Sequence, residues 1–320
     1  MIPSADAIGD ARKILRRDLP ITRLVPATKI GREKGCAAYL KLESELPTGS
    51  FKPRGALYAL SVNMARRSIR EVTASSTGNH GAAVAYAAKL LGVKATIFLP
   101  ENPNPVKRAR IADLGATIVE RGMGDSQAAF QEALAYSQND GVYFLNDATD
   151  PDLPAGPATL AWEILDALPS TDTIYVPMGD TALIRAVAAA AKQRSPKIRI
   201  IGVQAENAPS YFLSWKKGQA VPTETCNTIA DGLATRIPET ANVHAIRELV
   251  DDVCLVSDAQ MIEAIRYLLF EEHLVAEPAG AAATAALMQA ETAPGQNVVM
   301  LLTGANIAPD ILKRAVNLER

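Results

Sequence analysis

Short apolar runs rich in β-branched residues alternate with helical patterns along most of the 320-residue chain. The runs predict strands at 37–42, 71–75, 94–99, 116–119, 141–145, 173–177, 198–203, 252–257 and 297–302. Segments between them have helical spacing, at 55–65, 80–91, 105–114, 125–137, 156–168, 181–193, 258–271 and 279–290. Such alternation favours parallel strands joined by right-handed crossover helices. We therefore predict an α/β chain with doubly wound parallel sheets.

Two irregular stretches interrupt this alternation. The chain is longer than a typical single domain, so two domains are expected. The polar, Pro- and Gly-containing stretch 146–157 is the predicted crossing between them. The stretch 218–240 is longer than a loop that only connects two elements usually is, and we expect it to lie over a functional site.

Charge and hydropathy exclude several classes of partner. A formal net charge of −2 gives no electrostatic reason to expect nucleic acid or an anionic membrane surface. The most apolar tract, 274–290, is broken by Glu277 and Pro278 and is too short to span a bilayer. The first twenty residues have no apolar stretch behind a basic start, so we expect no secretory signal.

The thiols and imidazoles do not form a metal or redox pattern. Cys36, Cys226 and Cys254 are far apart, which is typical of reduced thiols in a cytosolic protein. The three histidines also lack metal-ligand spacing.

Three strand-to-helix turns carry the chemistry: KLESELPTGSFKPRGA (41–56), ASSTGNHGAAVAYAA (74–88) and VPMGDTALIRA (176–186). Alone, each resembles an ordinary turn with helix-capping residues. They are followed in order by ADGLA (230–234), AEPAGA (276–281) and LTGAN (302–306). Turns at the carboxyl ends of parallel strands are where α/β folds bind ligands.

These six ordered segments resemble fold-type II pyridoxal-phosphate (PLP) enzymes, in the threonine/serine dehydratase and serine racemase branch. The resemblance runs from about Thr22 to the C-terminus, and SFKPRGA and STGNHG are its most specific pieces.

The resemblance implies two doubly wound domains with PLP between them. The large cofactor-binding domain would be 1–66 and 153–320, and the small substrate-binding domain 67–152. It also implies a cytoplasmic homodimer. The last motif lies close to Arg320, so we expect no further regulatory domain.

By this resemblance Lys52, beside Phe51, holds the cofactor as a Schiff base. We expect its ammonium to be partly desolvated, which would help it to lose a proton. Thr303 matches the hydroxyl residue that hydrogen-bonds the pyridine nitrogen. A hydroxyl does not hold that nitrogen protonated, so the ring is a milder electron sink, which suits β-elimination.

The resemblance also assigns the two anion-binding turns. Helix N-termini offer free N–H groups and a positive dipole end to a carboxylate or a phosphate. The substrate carboxylate is expected at Ser76, Thr77, Asn79 and His80, with Asn79 also reaching the phenolic oxygen of the ring. We favour a positional role for His80 over a role as catalytic base. The phosphate is expected at Gly179, Asp180, Thr181, Ala182 and Leu183.

The phosphate turn departs from the family, whose run of glycines has become Gly179-Asp180-Thr181-Ala182. Because an acidic side chain repels a phosphate, we expect Asp180 to point away and cap the helix. The Thr181 hydroxyl and backbone N–H groups would then bind the phosphate.

Two further residues match the family at the cofactor. Gly232 matches the glycine whose backbone lies along it, and Glu277 lies in the motif near the ring. For Glu277, a role at the helix start beside Pro278 is the alternative.

The function that follows is an ammonia-lyase acting on a small β-hydroxy amino acid such as threonine or serine, with a 2-oxo acid and ammonia as products. Lys52 would also be the base for the Cα proton. Thr77 stands where related racemases carry a serine, and its β-branching leads us to expect slow racemisation. Alternatives are β-replacement, racemisation, a larger β-substituent, and a non-catalytic PLP-binding relative.

No metal is expected. Some relatives in the racemase branch bind a divalent cation through acidic residues, and here Gln204 and Ser210 stand at those positions. A neutral amide and a hydroxyl are poor ligands for a hard cation, which leaves Glu206 as the nearby acid.

Overall fold

The computed structural model describes residues 2–76, 78–101, 103, 105–121 and 126–318. Its larger sheet has six strands, in the spatial order β1 (Leu24–Pro26), β2 (Ala37–Leu42), β10 (Asn297–Leu302), β7 (Thr173–Pro177), β8 (Arg199–Ala205) and β9 (Asp252–Val256). Strand β1 pairs antiparallel with β2, and the other neighbours are parallel. The smaller sheet is parallel, in the order β5 (Thr117–Arg121), β4 (Lys94–Pro100), β3 (Glu71–Ser75) and β6 (Val142–Phe144).

Helices connect the strands: α1 (Ala5–Leu15), α2 (Thr28–Lys34), α3 (Pro53–Arg66), α4 (Asn79–Leu91), α5 (Pro105–Asp113), α6 (Ser126–Tyr136), α7 (Ala155–Ala167), α8 (Ala182–Arg194), α9 (Ser210–Lys217), α10 (Thr240–Leu249), α11 (Asp258–Glu271), α12 (Pro278–Gln289) and α13 (Pro309–Val316). The predicted strands and helices are all present, which confirms the doubly wound α/β fold. The sequence did not predict β1, α2, α9, α10 or α13. Strand β1 was not predicted because it has only three residues and ends in a proline, a residue confined to sheet edges.

Both faces of the larger sheet are buried. Along β10, Val298, Met300 and Leu302 belong to one apolar cluster, whereas Val299 and Leu301 belong to the cluster on the opposite face. Side chains along a strand alternate between the two faces of the sheet, and here the side chains on both faces are apolar. This pattern is typical of a parallel strand covered by helices on each side. Helices α11 and α12 cover one face, and α7 and α8 cover the other.

The smaller sheet shares its core with the helix that follows Lys52. Leu57 and Leu60 of α3 lie in the same buried cluster as Val72 of β3 and Ile97 of β4. Helix α3 also packs against α4. Lys52 is therefore placed at the junction of the two sheets. In the part of the chain that the structure describes, no helix combines the length and apolarity needed to cross a membrane.

Candidate active site

A cavity of about 740 Å³ lies between the two sheets, at the carboxyl ends of their strands. It brings together all the predicted site residues that the structure describes: Phe51, Lys52, Ser76, Asn79, His80, Gly179, Asp180, Thr181, Ala182, Leu183, Gly232, Glu277 and Thr303. Thr77 lies outside the described residues. The stretch 218–240 contributes residues 224–227, 231–237 and 239 to the cavity wall, as its length suggested.

Lys52 is fixed between the start of α3 and the turn after β10. Pro53 takes the first helical position, where a missing N–H costs nothing. The N–H of Phe51 donates to the carbonyl oxygen of Thr303 at 3.0 Å, and Ser50 forms a β-bridge with Gly304. These backbone bonds hold the lysine beside Thr303.

The Lys52 ammonium is paired. Its Nζ donates to Oδ2 of Asp147 at 2.6 Å. Burial alone would lower the pKa of Lys52, but the carboxylates of Asp147, Asp180 and Glu277 outweigh it, and the pKa is raised. The expectation that desolvation frees the amine is therefore wrong for the free lysine. The same contact holds the pKa of Asp147 well below its usual range, against the effect of burial.

The turn from β3 to α4 is held by side-chain amides. Asn79 Nδ2 donates to Glu277 Oε1 at 2.5 Å, and Asn79 Oδ1 accepts from Asn306 Nδ2 at 2.7 Å. The N–H of Gly78 donates to Ser76 Oγ at 3.1 Å. The first turn of α4 thus begins at the cavity, where its N–H groups have no helical partners. An anion can be bound there.

His80 is a neutral imidazole. Its Nε2 is 2.9 Å from the carbonyl oxygen of Leu145, so Nε2 carries the proton and donates it. Burial lowers the pKa of His80 although Asp147 lies nearby. Its Nδ1 is buried without a hydrogen-bond partner in the described chain, 3.9 Å from Asp147 Oδ2. This arrangement supports a positional role.

The turn from β7 to α8 keeps the shape of a glycine loop. Thr181 adopts φ 69°, a left-handed conformation unusual for a β-branched residue. A Cβ at Gly179 would overlap the carbonyl oxygen of Gly232, so the two backbones can approach only because residue 179 is glycine. The Thr181 hydroxyl accepts from Arg185 Nε at 3.1 Å and keeps its own proton to donate.

Asp180 does not cap α8, contrary to expectation. The residue at the N-cap is Thr181, which makes no side-chain capping bond, and Asp180 Oδ1 instead accepts from the Thr235 hydroxyl at 3.1 Å. The carboxyl lines the cavity, where burial and the nearby charge of Asp147 raise the pKa of Asp180 to about 6.

Glu277 is buried at the start of α12. Its side chain makes no capping bond to the helix, so the alternative role at the helix start is not the one observed. Burial raises the pKa of Glu277, and Lys107 Nζ lies 3.5 Å from its Oε2. Lys107 also pairs with Asp231 at 2.5 Å. The hydroxyl of Thr303 has a long contact of 3.5 Å, to the carbonyl oxygen of Ala279.

The residues present fit pyridoxal phosphate. Lys52 offers an amine, and two helix N-termini reach the same cavity for a phosphate and a carboxylate. The Thr303 hydroxyl is held only by a weak bond and is open to a ring nitrogen. Asp180 is the one feature of the phosphate turn that opposes an anion, and its raised pKa weakens that opposition.

The match to known proteins decides the family. Residues 16–304 match the family described as pyridoxal-phosphate dependent enzyme. The chain belongs to this family. The cofactor of the family is PLP, which confirms the cofactor prediction.

Curated relatives include L-threonine ammonia-lyases from Thermotoga maritima and Geobacter sulfurreducens. The first is 33% identical, covering 97% of this chain and 77% of that protein, and the second 35%, covering 98% and 77%.

Solved structures of fold-type II PLP enzymes have the same fold. Maize serine racemase superposes with a TM-score of 0.93 at 27% identity, covering 99% of this chain and 97% of that one. The threonine deaminase of T.th. superposes with a TM-score of 0.87 at 32% identity, covering 95% and 98%. The predicted resemblance is confirmed.

Sequence reasoning missed Asp147 and Lys107. Asp147 belongs to the stretch 146–157 that was interpreted as a domain crossing. Nothing in that stretch distinguishes it from Asp150 and Asp152. Lys107 lies on α5, outside the motifs, and only the fold brings it to Glu277.

Among the described residues no cluster of three or more His, Cys, Asp or Glu side chains could hold a metal ion. Gln204 Oε1 accepts from the N–H of Phe212, and the Ser210 hydroxyl donates to the carbonyl of Thr235. Both side chains thus have structural partners. Activity that does not depend on a metal stays a prediction.

Proposed function

We propose that this protein is a PLP-dependent ammonia-lyase that eliminates the β-hydroxyl of a small amino acid such as threonine or serine. The observation that carries the proposal is the convergence of Lys52, two helix N-termini and Thr303 on one cavity. The named activities of the T. maritima and G. sulfurreducens relatives support it. The products would be a 2-oxo acid and ammonia.

Each part of the site has a proposed task. Bound PLP supplies an electron sink for the negative charge that develops at Cα. Lys52 Nζ would hold the cofactor covalently at rest and, once displaced by the substrate amine, would take the Cα proton. The first turn of α4, with Ser76, Asn79 and His80, binds the substrate carboxylate. Thr77 is proposed to contribute there as well.

The cofactor contacts follow the same division. Gly179–Leu183 would hold the phosphate through backbone N–H groups and the Thr181 hydroxyl. Thr303 would donate to the pyridine nitrogen. Phe51, Gly232, Asn79 and Glu277 would line the space for the ring.

A second candidate function is elimination from an amino acid with a larger β-substituent. The observation that favours it is an aromatic pair on the cavity wall, Phe130 and Phe144, whose ring centroids are 5.4 Å apart. An apolar wall of this kind would accept an aryl group.

We also propose two domains, 1–66 with 153–320 and 67–152, because the smaller sheet is built within 71–144. A cytoplasmic homodimer is proposed from the family resemblance. The three free cysteines agree with a reducing compartment. Sedimentation of the holoenzyme would test the dimer.

A substrate screen tests the function. The holoenzyme is incubated with serine, threonine, phenylserine and hydroxyaspartate of defined stereochemistry, and 2-oxo acid formation is followed. We expect turnover of L-threonine or L-serine. Turnover of phenylserine alone would favour the second candidate. A bound visible chromophore without turnover of any of these amino acids would instead indicate a non-catalytic PLP-binding relative.

A further inference from the structure

Asp147 is held rigidly at the end of β6. The N–H of Leu145 donates to the carbonyl of Thr73 at 2.9 Å, and Asn146 Oδ1 accepts from the N–H of Ala148 at 2.9 Å. The second bond is an Asx turn, which fixes the backbone on both sides of Asp147. The backbone that carries Asp147 is therefore fixed at the cavity wall.

Charged and titratable groups face this carboxylate from three other elements. Lys52 reaches it from the start of α3 at 2.6 Å, and His80 from α4 at 3.9 Å. Asp180, before α8, and Arg185, within α8, influence it through space. His80 is neutral with its lone pair on this side, so it does not donate to Asp147.

Three other carboxylates of the cavity have different partners. Glu277 accepts from Asn79 and pairs with Lys107, and Asp180 accepts from Thr235. Asp231 pairs with Lys107. Asp147 is thus the carboxylate in direct contact with the reactive nitrogen of Lys52.

We propose that Asp147 is a further catalytic residue of the site, the counterion that keeps a proton on the Lys52 nitrogen before a substrate amine displaces it from the cofactor. This holds for the lysine of the cofactor-free protein and, if the proposed function is right, for the nitrogen of the C=N bond that Lys52 would form with the cofactor's aldehyde carbon with loss of water. A carboxylate this close to a nitrogen cation favours the charged form. The carbon of a protonated C=N bond is the more electrophilic, so the substrate amine would react with it faster.

The visible absorption of the bound cofactor tests the second half of the proposal, since the protonated and unprotonated C=N nitrogen absorb at different wavelengths. Wild type, Asp147→Asn and Asp140→Asn are titrated from about pH 6 to about pH 10. Asp140 is 96% exposed and serves as the isosteric surface control. We expect the C=N nitrogen of Asp147→Asn to lose its proton at a pH at least ~1 unit lower than in wild type and in the control. Identical titrations of all three proteins would overturn the proposal.

The free lysine provides an independent readout that needs no cofactor. Reductive ¹³C-methylation of the cofactor-free protein, with Lys52→Ala to assign the signal, gives the pKa of Lys52 by NMR. We expect a pKa above the ordinary lysine value in wild type and in Asp147→Glu, and a lower one in Asp147→Asn. An unchanged pKa in Asp147→Asn would overturn the proposal, whatever the outcome of the substrate screen. Loss of all visible absorbance in wild type would count against the proposed function instead.

Discussion

Asn79 on α4 and Glu277 at the start of α12 join the two sides of the cavity through one hydrogen bond, Nδ2 to Oε1 at 2.5 Å. Glu277 is 2% exposed, and Asn306 bonds the other end of the same amide. The turn that we propose for the substrate carboxylate is thereby fixed against the larger sheet.

Replacing Asn79 by alanine should therefore weaken both stability and substrate binding. Glu277 Oε1 and Asn306 Nδ2 would each lose a buried partner, at a cost of about 1–3 kcal/mol in the free energy of unfolding. Urea unfolding and the KM for the best substrate measure the two effects. Asn139→Ala is the matched control, because Asn139 is exposed and bonds only locally. Equal effects of the two substitutions would contradict the assigned role.

Arg54, two residues after Lys52, is the centre of a buried ion cluster. Its guanidinium bonds Glu43 at 2.7 Å and Glu163 at 2.7 Å, and its side chain is 2% exposed. Arg54→Met would leave two buried carboxylates with one fewer cation, so we expect a loss of about 3–5 kcal/mol in unfolding free energy. Arg66→Met, at an exposed pair with Asp152, should cost at most about 1 kcal/mol. Comparable losses of unfolding free energy in the two variants would contradict a stabilising role for the buried cluster.

Gly179 should not tolerate a side chain. A Cβ there would overlap the carbonyl oxygen of Gly232, so Gly179→Ala must push the phosphate turn away from its neighbour. We expect cofactor affinity, measured by fluorescence titration, to fall at least about tenfold, equivalent to about 1.4 kcal/mol. Gly9→Ala is the control. Gly9 lies within α1 with open space around it, so alanine should stabilise the helix by about 1 kcal/mol without changing cofactor affinity.

Asp180 should make the cofactor-free protein less stable as pH rises. Its pKa is raised to about 6 by burial and by Asp147. The pKa of this carboxyl is higher in the folded protein than in the unfolded chain. The free energy of unfolding therefore falls as the pH rises from the unfolded pKa to the folded pKa, because the unfolded chain loses the proton first. Between about pH 5 and about pH 8, wild type should lose about 1–2 kcal/mol relative to Asp180→Asn. Parallel stability curves in denaturant titrations would refute this.

The sequence was informative where chemistry is carried by local motifs. SFKPRGA placed Lys52 at a strand-to-helix turn, and STGNHG placed Asn79 and His80 at the next one. Each turn lies at the carboxyl end of a parallel strand, where α/β folds bind ligands, but the two strands belong to different sheets, and only the fold brings both turns to one cavity.

What the sequence did not predict depends on contacts between distant segments. Asp147 follows a three-residue strand and contacts Lys52, which stands 95 positions earlier in the chain, only because the fold brings the two together. The expectation that Asp180 caps α8 was wrong because its hydrogen-bond partner, Thr235, lies in an irregular stretch whose path cannot be predicted from the sequence. Helices α9 and α10 flank that irregular stretch and pack in the core on one face of the larger sheet.

The identity of the cofactor-bearing residue is the central claim, and mass spectrometry of the borohydride-reduced holoenzyme tests it most directly. Reduction fixes the cofactor to its lysine, and we expect the modified peptide to contain Lys52. Lys52→Ala should have neither the fixed chromophore nor turnover, whereas Lys89→Ala, at an exposed position of α4, should retain both. A reduced cofactor on another lysine, or normal activity of Lys52→Ala, would contradict the account.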